Sequence, residues 1–196
     1  MARKPKKRIT IPSLEEIQKE RKRIRKSDYY RQSLRSTVSV LVVVAAVAVL
    51  IATLFLPILQ ISGDSMSPTL EHDEIIVLLK TKDFDRGDLV GFYYQDKILL
   101  KRVIALPEDE VAIDADGNVY VNGELLEEPY VTDKGLGDCD LEFPYKVPGT
   151  GYFVLGDQRS NSVDSRNSVI GAISQEDIIG KVFVRVWPLS EIGFVY

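Results

Sequence analysis

The chain has 196 residues, room for one membrane anchor and one modest globular domain but not for two full-sized domains. Its formal net charge of −4 hides a division: residues 1–35 carry 13 Lys or Arg against 4 acids, a net of +9, and the remainder carries −13. With one cysteine, Cys139, and one histidine, His72, the chain has no internal disulfide and no Cys/His cluster for a metal; the acidic domain behind the basic arm argues against nucleic-acid binding and for attraction of the arm to anionic lipid headgroups.

Residues 1–12 read as disordered. Ser13-Leu14-Glu15-Glu16 matches a helix-start capping box, so a basic helix is expected to run from Leu14 towards the membrane. Ser36 to Gly63 carry no formal charge, and Val38–Leu56 is almost unbroken Val, Ala, Leu and Ile, about the length that crosses a ~30 Å hydrocarbon core. A buried soluble helix and a cleavable signal peptide are the alternatives. Ala46-Val47-Ala48 offers an A-x-A triplet, but it sits mid-run, whereas a cleavage site closes a shorter apolar region. The basic flank should stay in the cytoplasm and the chain beyond Leu59 on the outer side. The expected division is a basic cytoplasmic segment (1–35), a transmembrane helix (36–59) ended by Pro57, and an extracytoplasmic domain (60–196).

Beyond Pro57 the pattern turns to β. Residues 74–79, 88–94 and 97–105 read as strands rich in Val, Ile, Leu and Tyr. Asp116-Gly117 separates residues 111–113 from 119–121, and Asn122-Gly123 follows; both dipeptides supply the positive φ of tight hairpin turns. Further strands are expected at 151–155 and 181–187, with 132–149 a long surface loop and a β-rich subregion at about 107–150. No long amphipathic helix or second apolar span follows residue 60. The fold class is mainly β.

Three clusters carry chemistry. Ser62-Gly63-Asp64-Ser65-Met66-Ser67-Pro68-Thr69-Leu70 suits an exposed nucleophile turn with backbone N–H groups for an oxyanion; its composition equally suits a linker leaving an anchor. In the strand 97–105, Lys101 shares a face with Leu99 and Val103, and Arg102 with Leu100 and Ile104. On an apolar face, desolvation would lower the lysine's pKa and yield a neutral amine base; near an edge, its ammonium would simply reach water. The third cluster, Gly156 to Arg166, is a polar loop or part of a site. His72, in an acidic turn seven residues after Ser65, reads as a surface histidine, a Ser-His-Asp triad being the alternative.

These clusters, in this order behind an N-terminal anchor, resemble the boxes of bacterial type I signal peptidases of the small, single-span form, from the anchor to about Trp187. The resemblance implies an extracytoplasmic coiled β-sheet peptidase domain with Ser65 as nucleophile and Lys101 as general base. It implies that Ser162 orients the Lys101 amine and that Asp164–Arg166 and Arg102–Asp157 form supporting ion pairs. Arg86-Gly87-Asp88-Leu89-Val90 matches a further, structural box. The implied substrates are signal peptides of exported preproteins, with small residues at −1 and −3 fitting pockets walled near Ile61 and Leu100. No cofactor or metal is implied; the membrane lipid and proximity to the export machinery are. Three departures stand out. Gly63 replaces a serine whose hydroxyl joins the oxyanion hole in some members, leaving backbone N–H groups, Ser65 and the Gly63 position among them. Ala105-Leu106-Pro107-Glu108-Asp109 replaces the usual Gly-Leu-Pro-Gly-Asp, and Gln158 replaces Asn. The competing readings are a catalytically silent, membrane-tethered β-domain in surface-protein or pilus assembly, and a Ser-Lys self-cleaving repressor, which the anchor argues against.

Overall fold

In the computed structural model, residues 13–195 are described, and the expectation for residues 1–12 lies outside them. The chain divides into two compact units, Met1–Ala52 and Thr53–Tyr196. The first is dominated by one helix, α1 (Leu14–Phe55), in which basic stretch and apolar run form a single uninterrupted element. Its uncharged part from Ser36 to Phe55 rises about 30 Å, and its side chains are exposed throughout. This is the one helix among the described residues long and apolar enough to cross a membrane.

The helix stops earlier than expected. Residues 58 and 59, placed in the helical span above, instead form β1 (Ile58–Gln60) together with Gln60, antiparallel to β2 (Ile75–Leu79). Pro57 explains the change: it has no N–H for the helix and disfavours helical φ/ψ at Leu56. Its carbonyl accepts from Leu78 N at 2.8 Å, already a sheet contact.

The second unit is a β-domain. After β2 come β3 (Leu89–Tyr94), β4 (Lys97–Ala105), β5 (Glu110–Ile113), β6 (Val119–Val121) and β7 (Glu124–Leu125). Then follow β8 (Tyr145–Lys146), β9 (Gly151–Leu155), β10 (Ile173–Ser174), β11 (Ile178–Trp187) and β12 (Gly193–Phe194). The larger sheet runs β1-β2-β11-β3-β4-β9-β10, with β12 on β11, and the smaller runs β7-β6-β5-β8. Every pairing is antiparallel. Asn122 and Gly123 take φ of 54° and 82° between β6 and β7, the geometry a two-residue hairpin needs. In the 105–109 turn, Glu108 holds φ at 68° where glycine would be unstrained. The Asp109 carboxylate closes that turn by accepting from Leu106 N at 2.7 Å and Arg86 Nη2 at 2.9 Å.

Strand β9 shows how the domain is held together. All five of its residues are buried. Alternation sends Tyr152 and Val154 into a cluster with Phe84, Val90, Phe92 and Val103. Phe153 and Leu155 go the other way, to Ile104 of the larger sheet and Val111, Val119 and Val121 of the smaller. A third cluster of Ile61, Met66, Leu70, Ile76, Leu78, Leu89 and Val182 lies beneath the turn that follows β1. Phe153 is fully buried and packs edge-to-face against Phe143 and at a tilt against Tyr145. Phe153→Ala is expected to lower stability by about 3–5 kcal/mol, read as a shift of the urea midpoint with the slope unchanged.

Candidate active site

The turn after β1 is held at both ends by apolar burial. Ile61 enters the core on one side, and Met66 and Leu70 are buried on the other. Within it, Ser67 N donates to Asp64 O at 3.0 Å and Leu70 N to Met66 O at 2.9 Å. Gln158 N donates to Ser65 O at 3.1 Å and ties the turn to the loop after β9. Ser65 is thus half-buried on a fixed backbone.

Strand β4 brings up its partner. Lys101 lies opposite Val90 of β3 and is 3% exposed, so its ammonium does not escape to water. Its Nζ donates to Ser65 Oγ at 2.8 Å. Burial is the largest influence on the amine, followed by Asp164, which raises its pKa, Arg166, which lowers it, and Asp157, which raises it. The outcome is a fall from 10.5 to about 8. With the amine neutral, the same contact reverses and the Ser65 hydroxyl donates to the nitrogen lone pair. The sign for stability follows. A charged Lys101 costs the fold about 3 kcal/mol below pH 8, and that cost fades as pH rises from 8 to 10.5.

The carboxylates near Lys101 are already taken. Asp157 accepts from Arg102 Nε at 2.9 Å and Nη2 at 2.7 Å. Asp164 accepts from Arg166 Nε at 2.8 Å and Nη2 at 2.9 Å. All four side chains are almost wholly buried. Among the described residues, no acid forms an ion pair with Lys101.

Other expected residues fall as follows. Ser162 is buried, but its Oγ has no hydrogen-bond partner, so it makes no bond to Lys101. Ile61 and Leu100, with Leu59, Met66, Ile76 and Leu99, wall a groove that reaches Ser65 and Lys101. The Ser65 N–H makes no hydrogen bond among the described residues. Gly63 N–H donates to His72 Nδ1 at 3.0 Å. His72 therefore faces the backbone of the turn, with no bond to the Ser65 hydroxyl.

The family described as "Signal peptidase, peptidase S26" matches residues 34–187. The chain belongs to the signal peptidase family. "Signal peptidase I S" of Bacillus subtilis is 34% identical over 82% of this chain and 93% of its own length. "Probable signal peptidase I-2" of Synechocystis is 37% identical over 69% of this chain, which spans 65% of that relative's length. A solved signal peptidase I of Enterococcus faecalis is 30% identical, covers 50% of this chain and 96% of its own, and superposes with a TM-score of 0.42.

Several residues of the site carry no sequence signal that points to it. Thr69 Oγ1 donates to Asp157 at 2.5 Å, joining the Ser65 turn to the Arg102 pair. The Tyr130 ring covers Arg102 at 3.9 Å, and its hydroxyl donates to Glu128. Burial, with Glu128 alongside, holds that phenol's pKa well above its ordinary value. Glu128 in turn binds Arg159, both nearly fully buried. Thr69 and Arg159 stood inside the quoted clusters, whereas Glu128 and Tyr130 lie in a segment without motif or periodicity.

Gly156 was also passed over. A β-carbon there would lie 2.3 Å from Ser162 Oγ and 2.6 Å from Ser65 O, so only glycine fits between the two serines. Gly156→Ala is expected to displace the Ser65 turn and lower peptidase turnover by about a hundredfold, with the far-UV circular dichroism retained.

Proposed function

We propose that this protein is a membrane-bound serine endopeptidase that removes N-terminal signal peptides from exported preproteins, with Ser65 as nucleophile and Lys101 as general base. One observation carries the reading: in a chain of the signal peptidase family, a buried lysine with a depressed pKa sits 2.8 Å from a serine on a fixed turn. Ser65 Oγ attacks the scissile carbonyl as neutral Lys101 takes its proton. Lys101 then protonates the leaving amine, and water, deprotonated by the same lysine, releases the acyl group. The Ser65 N–H is the oxyanion donor that the turn offers. Asp157 and Asp164, each held by its own arginine, leave Lys101 free of a fixed counter-charge.

The groove supports the substrate class. Its aliphatic walls suit small apolar side chains on an extended segment, with specificity from Ile61 and Leu100. The span and its basic flank support a cytoplasmic N-terminus and an extracytoplasmic catalytic domain, with the basic segment ending near 35 and the helix at Phe55 rather than 59. Substrate then arrives at the outer membrane surface, close to where the export machinery delivers it. The silent-domain alternative loses ground because both reactive side chains are present and in contact.

Ser65→Ala and Lys101→Ala are each expected to abolish cleavage of a model preprotein while the domain unfolds with its ordinary cooperativity. In the wild type, kcat/KM should rise about tenfold per pH unit and level off above about 8, where Lys101 is neutral. Cleavage by either variant, or a pH-independent rate between pH 6 and 8, contradicts the assignment.

A further inference from the structure

Between the buried Ile61 and Ser65, the residues Ser62, Gly63 and Asp64 are all exposed. A β-carbon at Gly63 would meet nothing within 4 Å, and its φ is +100°. Packing therefore does not hold this stretch. Among the described residues, the single hydrogen bond made by any N–H of the three is Gly63 N to His72 Nδ1 at 3.0 Å. The loop carrying His72 is itself fixed: Ile61 N donates to Glu74 O at 2.8 Å, and Asp73 N to Ile61 O at 3.0 Å.

We propose that His72 is a positioning residue whose neutral imidazole tethers Gly63 and so holds the approach to Ser65, and that protonating it releases the tether. The inference rests on the reading of Ser65 as nucleophile. A nitrogen that accepts a hydrogen bond carries no proton, so Nδ1 is bare and the ring proton is on Nε2. Nε2 faces Asp73 Oδ1 at 3.5 Å. Gln60 Nε2 donates to the same oxygen at 3.1 Å and keeps that carboxylate in place. Protonation puts a hydrogen on Nδ1, where Gly63 N–H can no longer donate. The other charged residues on the turn and on the ring's own loop are Asp64, Glu71 and Glu74. Glu74 is held by Arg185 of β11 at 2.7 Å. His72 is the chain's one histidine and is exposed to solvent, so its ring is open to protons from bulk water.

The test uses the full chain, ¹⁵N-labelled, in detergent micelles and without a polyhistidine tag. The ring nitrogens are expected to show the Nε2–H tautomer, and the Gly63 amide resonance to move with the same midpoint as the imidazole. An Nδ1–H tautomer, or a Gly63 amide that ignores the imidazole, overturns the proposal. Kinetics give a second readout. At about pH 8.5 the wild type should exceed His72→Ala and His72→Gln by roughly two- to tenfold in kcat, the worth of one hydrogen bond. His72→Asn, whose amide oxygen replaces Nδ1, should recover most of the difference. Once the NMR titration shows the imidazole protonated, wild type and His72→Ala should converge; a ratio that stays constant across that transition marks a merely structural histidine and contradicts the proposal. Failure of the amide to follow the ring leaves the Ser65–Lys101 reading standing, whereas cleavage by Ser65→Ala defeats that reading whatever the amide does.

Discussion

A lysine amine kept out of water and out of an ion pair is the constraint on which the rest of this structure depends. Lysines are rarely buried unpaired, because losing hydration disfavours the charge. Lys101 is nonetheless 3% exposed, and its one hydrogen bond among the described residues is to Ser65. Its strand supplies the burial: β4 is exposed at Lys97 and Ile98 and fully buried from Lys101 to Ala105, where β3 and β9 flank it. The amine's position at the start of the buried half puts it within reach of the turn and beneath the groove.

The buried arginines complete that constraint. A free Asp157 or Asp164 beside Lys101 would hold it protonated and end its use as a base. Arg102 and Arg166 prevent this by taking both carboxylates, and Thr69 and Tyr130 fill the remaining contacts around the first pair. The network thereby connects the Ser65 turn, β4, the smaller sheet's trailing segment and the loop after β9. Breaking any one buried pair would leave an uncompensated charge, which is far more damaging than losing an exposed pair. Arg86–Asp109 and Lys181–Asp88 are more exposed and matter mainly for the turns they close.

Much of this was legible from residue patterns. The runs 97–105, 119–121 and 151–155 were read at their observed bounds, because β-branched and aromatic residues flanked by turn dipeptides leave little choice. The first and third clusters were found because each is locally dense in polar and reactive side chains, and the second because strand alternation sets Lys101 on an apolar face. The two-residue strands β7, β8, β10 and β12 were not, since they arise from pairing with longer neighbours and carry no pattern of their own. Residues 58 and 59 were given to the helix on hydrophobicity, yet β2 recruits them as soon as Pro57 breaks the helical ladder. Contacts between distant segments were equally hidden. Nothing local to Tyr130 points to Arg102, and His72 read as a surface residue because its partner is a backbone N–H.

Direct titration of the Lys101 side chain tests the central claim most closely. With ¹³C-labelled lysine in the full chain, and Lys101 assigned by its loss in Lys101→Arg, the Cε resonance should titrate near pH 8. A midpoint near 10.5, the ordinary value, would mean that the amine is hydrated and charged at neutral pH, and the account of Ser65 activation would fail.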